Sequence, residues 1–269
     1  MLENYLVRQV QGRESSHWIT KLAPNHYQYA KPAARIALRN GILFDLDISN
    51  LLDWCVYFGI KEPARDKLYG LVGPGDCVVD VGVNIGETVT YMAQLVGNSG
   101  KIYGFEPDPV NFKIAADAVQ RNKMNQVHLE ELALSDDEGC YNLYRIDSRN
   151  PGANRILPEG NRADAVPVKS ILLDLFVKQR QINRIDLIKI DVEGFEYHVL
   201  QGARETIARF RPKIFMELNN DMLGKHGHSA QKVVKLMSGW SYQMTRADTG
   251  EPVDASYNFA GCHFDLVCI

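Results

Sequence analysis

Residues 76–109 constrain this chain more than any other stretch: Asp-Cys-Val-Val-Asp-Val-Gly-Val-Asn-Ile-Gly-Glu-Thr, a helical run, then Lys-Ile-Tyr-Gly-Phe-Glu-Pro-Asp-Pro. The stretch reads as strand, glycine turn, helix, strand. Cys77 to Val81 is a short, mostly β-branched run, as suits a strand covered on both faces. Gly82 and Gly86 bracket a turn in which a side chain would block the bend or a ligand. Thr88 to Val96 has helical pattern and stops at Gly97-Asn98. Ile102 to Phe105 is a second strand that ends on an acid, Glu106. That acid falls about 20 residues past Gly86, where dinucleotide-type folds place a carboxylate for a ribose diol.

The turn is D-x-G-x-N-x-G and departs from G-x-G-x-x-G. A pyrophosphate favours backbone N–H groups without nearby negative charge. Here Asp80 opens the turn and Glu87 follows its last glycine. Two acids suit a cofactor with cationic groups. S-adenosylmethionine carries a sulfonium, an ammonium and a ribose diol, and no phosphate.

Composition narrows the class. A length of 269 residues allows one large α/β domain, or a domain with a small appendage. The net charge of −3 gives no basic footprint for nucleic acid. The five cysteines show no C-x-x-C spacing, so they read as thiols in a reducing compartment rather than disulfides or zinc ligands. No stretch resembles a signal peptide or a membrane span. The expectation is a cytoplasmic protein with no membrane partner.

Taken in order, residues 1–33 are polar and mixed, and read equally as an arm, a lid or a homo-oligomer contact. Arg35 to Leu38, Asn40-Gly41 and Ile42 to Ile48 predict a β-hairpin. Helices are expected over Leu51 to Phe58 and Pro63 to Val72. The domain boundary is placed near residue 60: 1–60 as an N-terminal extension with hairpin and helix, 61–269 as the main domain. Asp108 is expected to cap a helix through Arg121. Val127 to Leu134 reads as one strand, Tyr141 to Ile146 as another, and residues 147–164 as a long polar loop of the kind that is often functional. Asp186 to Asp191 is a further buried strand ending on an acid. One helix then carries Phe195, Val199, Leu200, Ala203 and Ile207, and Ile214 to Leu218 is the next strand. His226-Gly227-His228 reads as loop. Strands alternate with helices from 77 to 218, so the class is α/β with a doubly wound, mainly parallel sheet. Ligands bind such sheets at the carboxyl ends of strands, and Asp80, Glu106, Asp191 and Glu217 all end strands.

Four blocks carry a family likeness: Asp80-Val-Gly-Val-Asn-Ile-Gly, Phe105-Glu-Pro-Asp-Pro, Ala133-Leu-Ser-Asp with Gly139, and Asp186-Leu-Ile-Lys-Ile-Asp-Val-Glu-Gly-Phe-Glu. The fourth is the most distinctive and runs on through Val199-Leu200-Gln-Gly-Ala203 to Met216-Glu-Leu218. With these blocks the chain resembles the FkbM family of S-adenosylmethionine-dependent methyltransferases, over about residues 35–220. Val83 and Phe195 stand where the family pattern has alanine. The resemblance implies a Rossmann-like methyltransferase fold with a seven-stranded sheet. It also implies methylation of hydroxyl groups on sugars, polyketides and related natural products, hence a small-molecule or glycan acceptor.

On that reading Asp80, Gly82, Asn84, Gly86 and Thr88 surround the methionine part of the cofactor, and Glu106 with Pro107 holds the ribose. Glu131, Leu132 and Ala133 lie near the adenine, and Asp191 faces the cofactor rim. Removing the acceptor hydroxyl proton calls for a base, and Asp191, Glu193, Glu196 and His226 are candidates. Glu193 reads equally as a helix cap and Glu196 as a solvated helix acid. Asn154, Arg155, Glu217, Asn219 and His228 are candidate acceptor contacts. Asp191, Glu217 and Asn219 with the histidines could instead hold a divalent metal, which is not favoured because the cluster is loose in sequence. A non-catalytic cofactor-binding or scaffold module is the alternative.

Overall fold

The computed structural model describes residues 2–157 and 165–269. Helix α1 (Leu2–Val10) leads into the hairpin β1 (Ala34–Arg39) and β2 (Ile42–Asp47), turning at Asn40-Gly41. Helix α2 (Leu51–Phe58) starts where the Asn50 side chain accepts from the Asp53 N–H. Helix α3 (Pro63–Tyr69) begins on proline, whose missing N–H costs nothing at that position. The alternating part follows: β3 (Cys77–Val81), α4 (Glu87–Val96), β4 (Lys101–Phe105), α5 (Pro109–Arg121), β5 (Val127–Glu130). Strands β6 (Ala133–Leu134), β7 (Cys140–Tyr144), β8 (Arg155–Ile156) and β9 (Val166–Ile171) form a small second sheet in the order β6-β9-β7-β8. Then come α6 (Leu173–Gln179), β10 (Leu187–Ile190), α7 (Glu196–Gln201), α8 (Arg204–Phe210), β11 (Lys213–Asn219), α9 (Asn220–Lys225), α10 (Ala230–Gly239), β12 (Met244–Arg246) and β13 (His263–Cys268).

The central sheet has seven strands in the order β12-β13-β11-β10-β3-β4-β5. Its β11-β10-β3-β4-β5 run is parallel, and β13 enters antiparallel beside β11. Every residue of β3 and β10 is buried, because helices cover both faces. Alternate residues serve the two faces. Val79, Val81, Ile188 and Ile190 join α6, α7 and α10 on one side. Val78, Leu187 and Phe215 meet Val89 and Met92 of α4 on the other, and Ile42 and Phe44 of the N-terminal hairpin share that second core. No helix among the described residues is long and apolar enough to cross a membrane.

Three local expectations change. The strand expected over Val127 to Leu134 divides, since Leu132, Ala133 and Leu134 break the period-2 pattern; Glu131 and Leu132 form a bend, and Ala133–Leu134 pairs with β9 instead. The single helix after Gly194 is two. The backbone of Gly202 lies against Ser135, so close that a Cβ there would sit 1.8 Å from the Ser135 carbonyl oxygen. Asp174 of α6 then restarts the helix by accepting from the Glu205 and Thr206 N–H groups at 3.0 and 2.7 Å. Finally, α9 precedes the two loop histidines. Of the long loop expected at 147–164, residues 151–153 form a helical turn and β8 follows; 158–164 lie outside the described residues.

Candidate active site

The carboxyl ends of β3, β4, β10 and β11 open into one cavity of about 320 Å³. The glycine turn after β3 forms its floor. Gly82 has φ +82°, and a Cβ there would lie 1.9 Å from the Asp191 carbonyl oxygen, so the turn closes against β10 only with glycine. Asn84 also takes positive φ, and its N–H donates to Glu106 Oε2 at 2.7 Å. The Asp108 N–H donates to Glu106 Oε1 at 2.9 Å. Burial still pushes the Glu106 carboxyl up to about 7. Each oxygen keeps one lone pair for a further donor.

Behind the turn lies a buried ion cluster. Lys189, from the middle of β10, reaches the Gly82 carbonyl at 2.6 Å, Asp80 at 3.2 Å and Asp191 at 3.6 Å. Burial works against its charge, but Asp80 and Asp191 outweigh it and keep the ammonium protonated. Thr88 donates to Asp80 at 3.2 Å.

A strap covers the cavity. Asp108 caps α5 by accepting from the Val110 N–H, and also takes Arg145 in a two-pronged pair and the Asn154 amide at 2.9 Å. Gly152 lies against Asn84 and Leu52. The N-terminal segment fastens the strap from outside. Arg149 donates to the His26 and Tyr29 carbonyls at 3.1 and 3.2 Å, and Lys31 to the Ser148 carbonyl at 2.7 Å.

The far wall is acidic. Asp191, Glu193 and Glu217 line it, with Asp265 close behind. Burial, then the neighbouring carboxylates, raise Glu217 to about 9. Burial, then Asp191, raise Asp265 to about 7 and push Glu193 upward. His263 meets Glu217 Oε1 at 2.7 Å.

The sequence-derived residues divide cleanly. Gly82, Asn84, Thr88, Glu106, Pro107, Ala133, Asn154, Arg155, Asp191, Glu193 and Glu217 line the cavity. Asp80 and Gly86 are not among the lining residues: Asp80 is buried beside Lys189, and Gly86 takes positive φ (+93°) at the start of α4. Glu131 is exposed on the bend after β5, and Leu132 lines the cavity in its place. Glu196 is fully buried, accepts the Gly194 N–H at 3.0 Å and is no solvated acid. Asn219 caps α9 by accepting the Met222 N–H. His226 packs edge-on against Phe195, and burial depresses it to about 4. His228 stacks near Tyr197 and contacts Lys232 at 3.0 Å. The two histidines therefore belong to an aromatic cluster beside the site. No group of three or more His, Cys, Asp or Glu among the described residues is placed to hold a metal ion. Sequence reasoning missed Arg65, Leu52 and Asn111, which reach the cavity only through tertiary contacts; residues 150–152 lie in the long loop it expected to be functional.

With this geometry in place, comparison with known proteins decides the family. The profile described as "Methyltransferase FkbM domain" matches residues 80–244. The chain belongs to the FkbM methyltransferase family. It is 27% identical over 175 residues to "2-O-methyltransferase NoeI" of Sinorhizobium fredii, covering 57% of this chain and 70% of that relative. It is 27% identical over 132 residues to "Hexuronic acid methyltransferase AglP" of Haloferax volcanii, covering 49% and 52%. It is 27% identical over 181 residues to "31-O-demethyl-FK506 methyltransferase FkbM" of Streptomyces tacrolimicus, covering 55% and 68%. The matched span runs from Asp80 in β3 to Met244 in β12 and includes the ends of β3, β4, β10 and β11 that open into the cavity.

Proposed function

We propose that the protein transfers a methyl group from S-adenosylmethionine to a hydroxyl of a sugar or another small natural product. The observation that carries this reading is the cavity at the strand ends, with Glu106 on β4 and the glycine turn on β3, in a chain of a methyltransferase family. The residues present fit the cofactor. Glu106 has an unused lone pair on each oxygen for a ribose diol, and the Asn84 and Asn154 side-chain oxygens are buried without a partner. Asn84, Gly82 and Thr88 would hold the methionine part, Glu106 the ribose, and Leu132 with Ala133 the adenine. When bound, the cofactor supplies a methyl group activated by its sulfonium.

The chain's own residues then orient the acceptor and take its proton. Alignment alone can contribute several kcal/mol to such a displacement. Asp191 is anchored at the end of β10 and half-exposed to the cavity, so it is the favoured proton acceptor; Asn154, Arg155 and Glu217 are the favoured acceptor contacts. A positioned base typically adds about 10²- to 10⁴-fold. Relatives named as O-methyltransferases and as acting on hexuronic acid support oxygen as the target and a sugar as the acceptor class.

The test is incubation with methyl-labelled S-adenosylmethionine and a panel of hydroxyl-bearing sugars and glycosides. The expected result is label on an acceptor oxygen, with one S-adenosylhomocysteine formed per transfer. Cofactor binding without transfer to any acceptor would favour a non-catalytic module, and label on nitrogen or carbon would refute the O-methyl reading.

A further inference from the structure

Among the described residues three cationic side chains line the cavity: Arg65, Arg155 and Lys189. Lys189 is committed to Asp80, Asp191 and the Gly82 carbonyl. Arg155 belongs to the strap, bonded to the Ala153 carbonyl and the Met222 sulfur on the β10 side. Arg65 is different. It comes from α3, before the alternating part of the fold, and stands beside Glu87 and Thr88 where α4 begins. Its Nε meets Glu62 at 2.8 Å and its Nη1 donates to Glu87; Nη2 makes no hydrogen bond among the described residues. Burial works against its charge, but Glu87 and Glu62 hold the guanidinium protonated.

Resting on the S-adenosylmethionine reading above, we propose that Arg65 receives the α-carboxylate of the cofactor's methionine part. That carboxylate is the cofactor's one anionic group, and the acids of the site cannot accept it. With the ribose at Glu106 and the sulfonium arm along the glycine turn, the first turn of α4 is where the amino-acid end arrives. Gly86 provides no side-chain cap there, so backbone N–H groups of this ten-residue helix also favour an anion. Glu62 and Glu87 hold the guanidinium in place, and Nη2 stays available for a charge-assisted bond. Arg65 is thus a specificity residue for the intact amino-acid end.

Two ligands that differ only in that carboxylate test the assignment: S-adenosylhomocysteine and its decarboxylated analogue. Calorimetry on the wild type and on Arg65→Met gives four affinities, and the melting temperature of each protein controls for folding. The expected result is at least about a 10-fold loss for S-adenosylhomocysteine in Arg65→Met, within the range for a bond to a charged group, and less than about 3-fold for the analogue. If Arg65→Met does not fold, Arg65→Lys takes its place, with a smaller loss in the same direction. Equal weakening of both ligands would mean that Arg65 only pins α3 to α4, and would overturn the proposal; so would no weakening of either. Failure of the wild type to bind S-adenosylhomocysteine at all would instead overturn the cofactor reading, and this assignment with it.

Discussion

Asp80 and Glu106 are both strand-end acids, yet the fold uses them differently. Asp80 is wholly buried and paired with Lys189, whereas Glu106 lines the cavity with its two oxygens held by backbone N–H groups. The sequence marks both as strand ends, because a short apolar run reaching an acid beside a turn signal is legible locally. Which acid meets a buried lysine is not legible, since Lys189 lies on another strand and joins the turn only when β3 and β10 pair. The same reason hides Arg65. His226 shows the opposite failure: a glycine-flanked histidine reads as loop, but its ring packs edge-on against Phe195, the residue that stands in place of the family's alanine. Asp191 is the residue at which these readings meet the chemistry. Asp191→Asn keeps the shape and removes the basic oxygen. It is expected to lower kcat by at least about 10²-fold while S-adenosylhomocysteine affinity stays within about 3-fold of wild type. Steady-state kinetics with calorimetry check this, and an unchanged kcat would remove Asp191 from the proton transfer.

Pairing of β11 with β13 sets Glu217 directly opposite Asp265, two like charges in register. Burial first, then Asp191, raises these carboxyls to about 9 and about 7, so the folded state holds protons that the unfolded chain has lost. That contribution is fully present below the ordinary carboxyl range and is lost as pH rises through 7 and 9. Each such proton corresponds to about 1.4 kcal/mol per pH unit. His226 and His228 are partly buried with lowered values, and toward pH 8–9 they are neutral in both states, so they do not offset this slope there. The melting temperature of the ligand-free protein should therefore fall from pH 7 to pH 9, and fall less in Glu217→Gln, which should melt higher than wild type at pH 9. Parallel profiles in scanning calorimetry would contradict the raised Glu217 carboxyl. At this scale the sequence is most readable where one local signal decides: Asn40-Gly41 for the hairpin, Asp108 for the start of α5, the mostly β-branched run of β3. It is least readable where a distant group ends or starts an element, as Ser135 and Asp174 do between α7 and α8.

Across the whole molecule, alternation of strand and helix predicts a doubly wound sheet, and the seven-strand order bears out that class. What alternation does not reveal is that the N-terminal hairpin shares a core with α4, or that the segment from His26 to Lys31 fastens the strap over the cavity. The site therefore draws on chain from both sides of residue 60, and the proposed cofactor capture is a property of the assembled sheet, with Glu106 at its centre. Titration calorimetry of S-adenosylmethionine tests this most directly, at pH 8, above the Glu106 carboxyl value of about 7. Wild type is predicted to bind at one site per chain, and Glu106→Ala, with an unchanged fold by circular dichroism, to bind about 1.5–3 kcal/mol more weakly. No binding by the wild type, or equal affinity in the variant, would contradict the account.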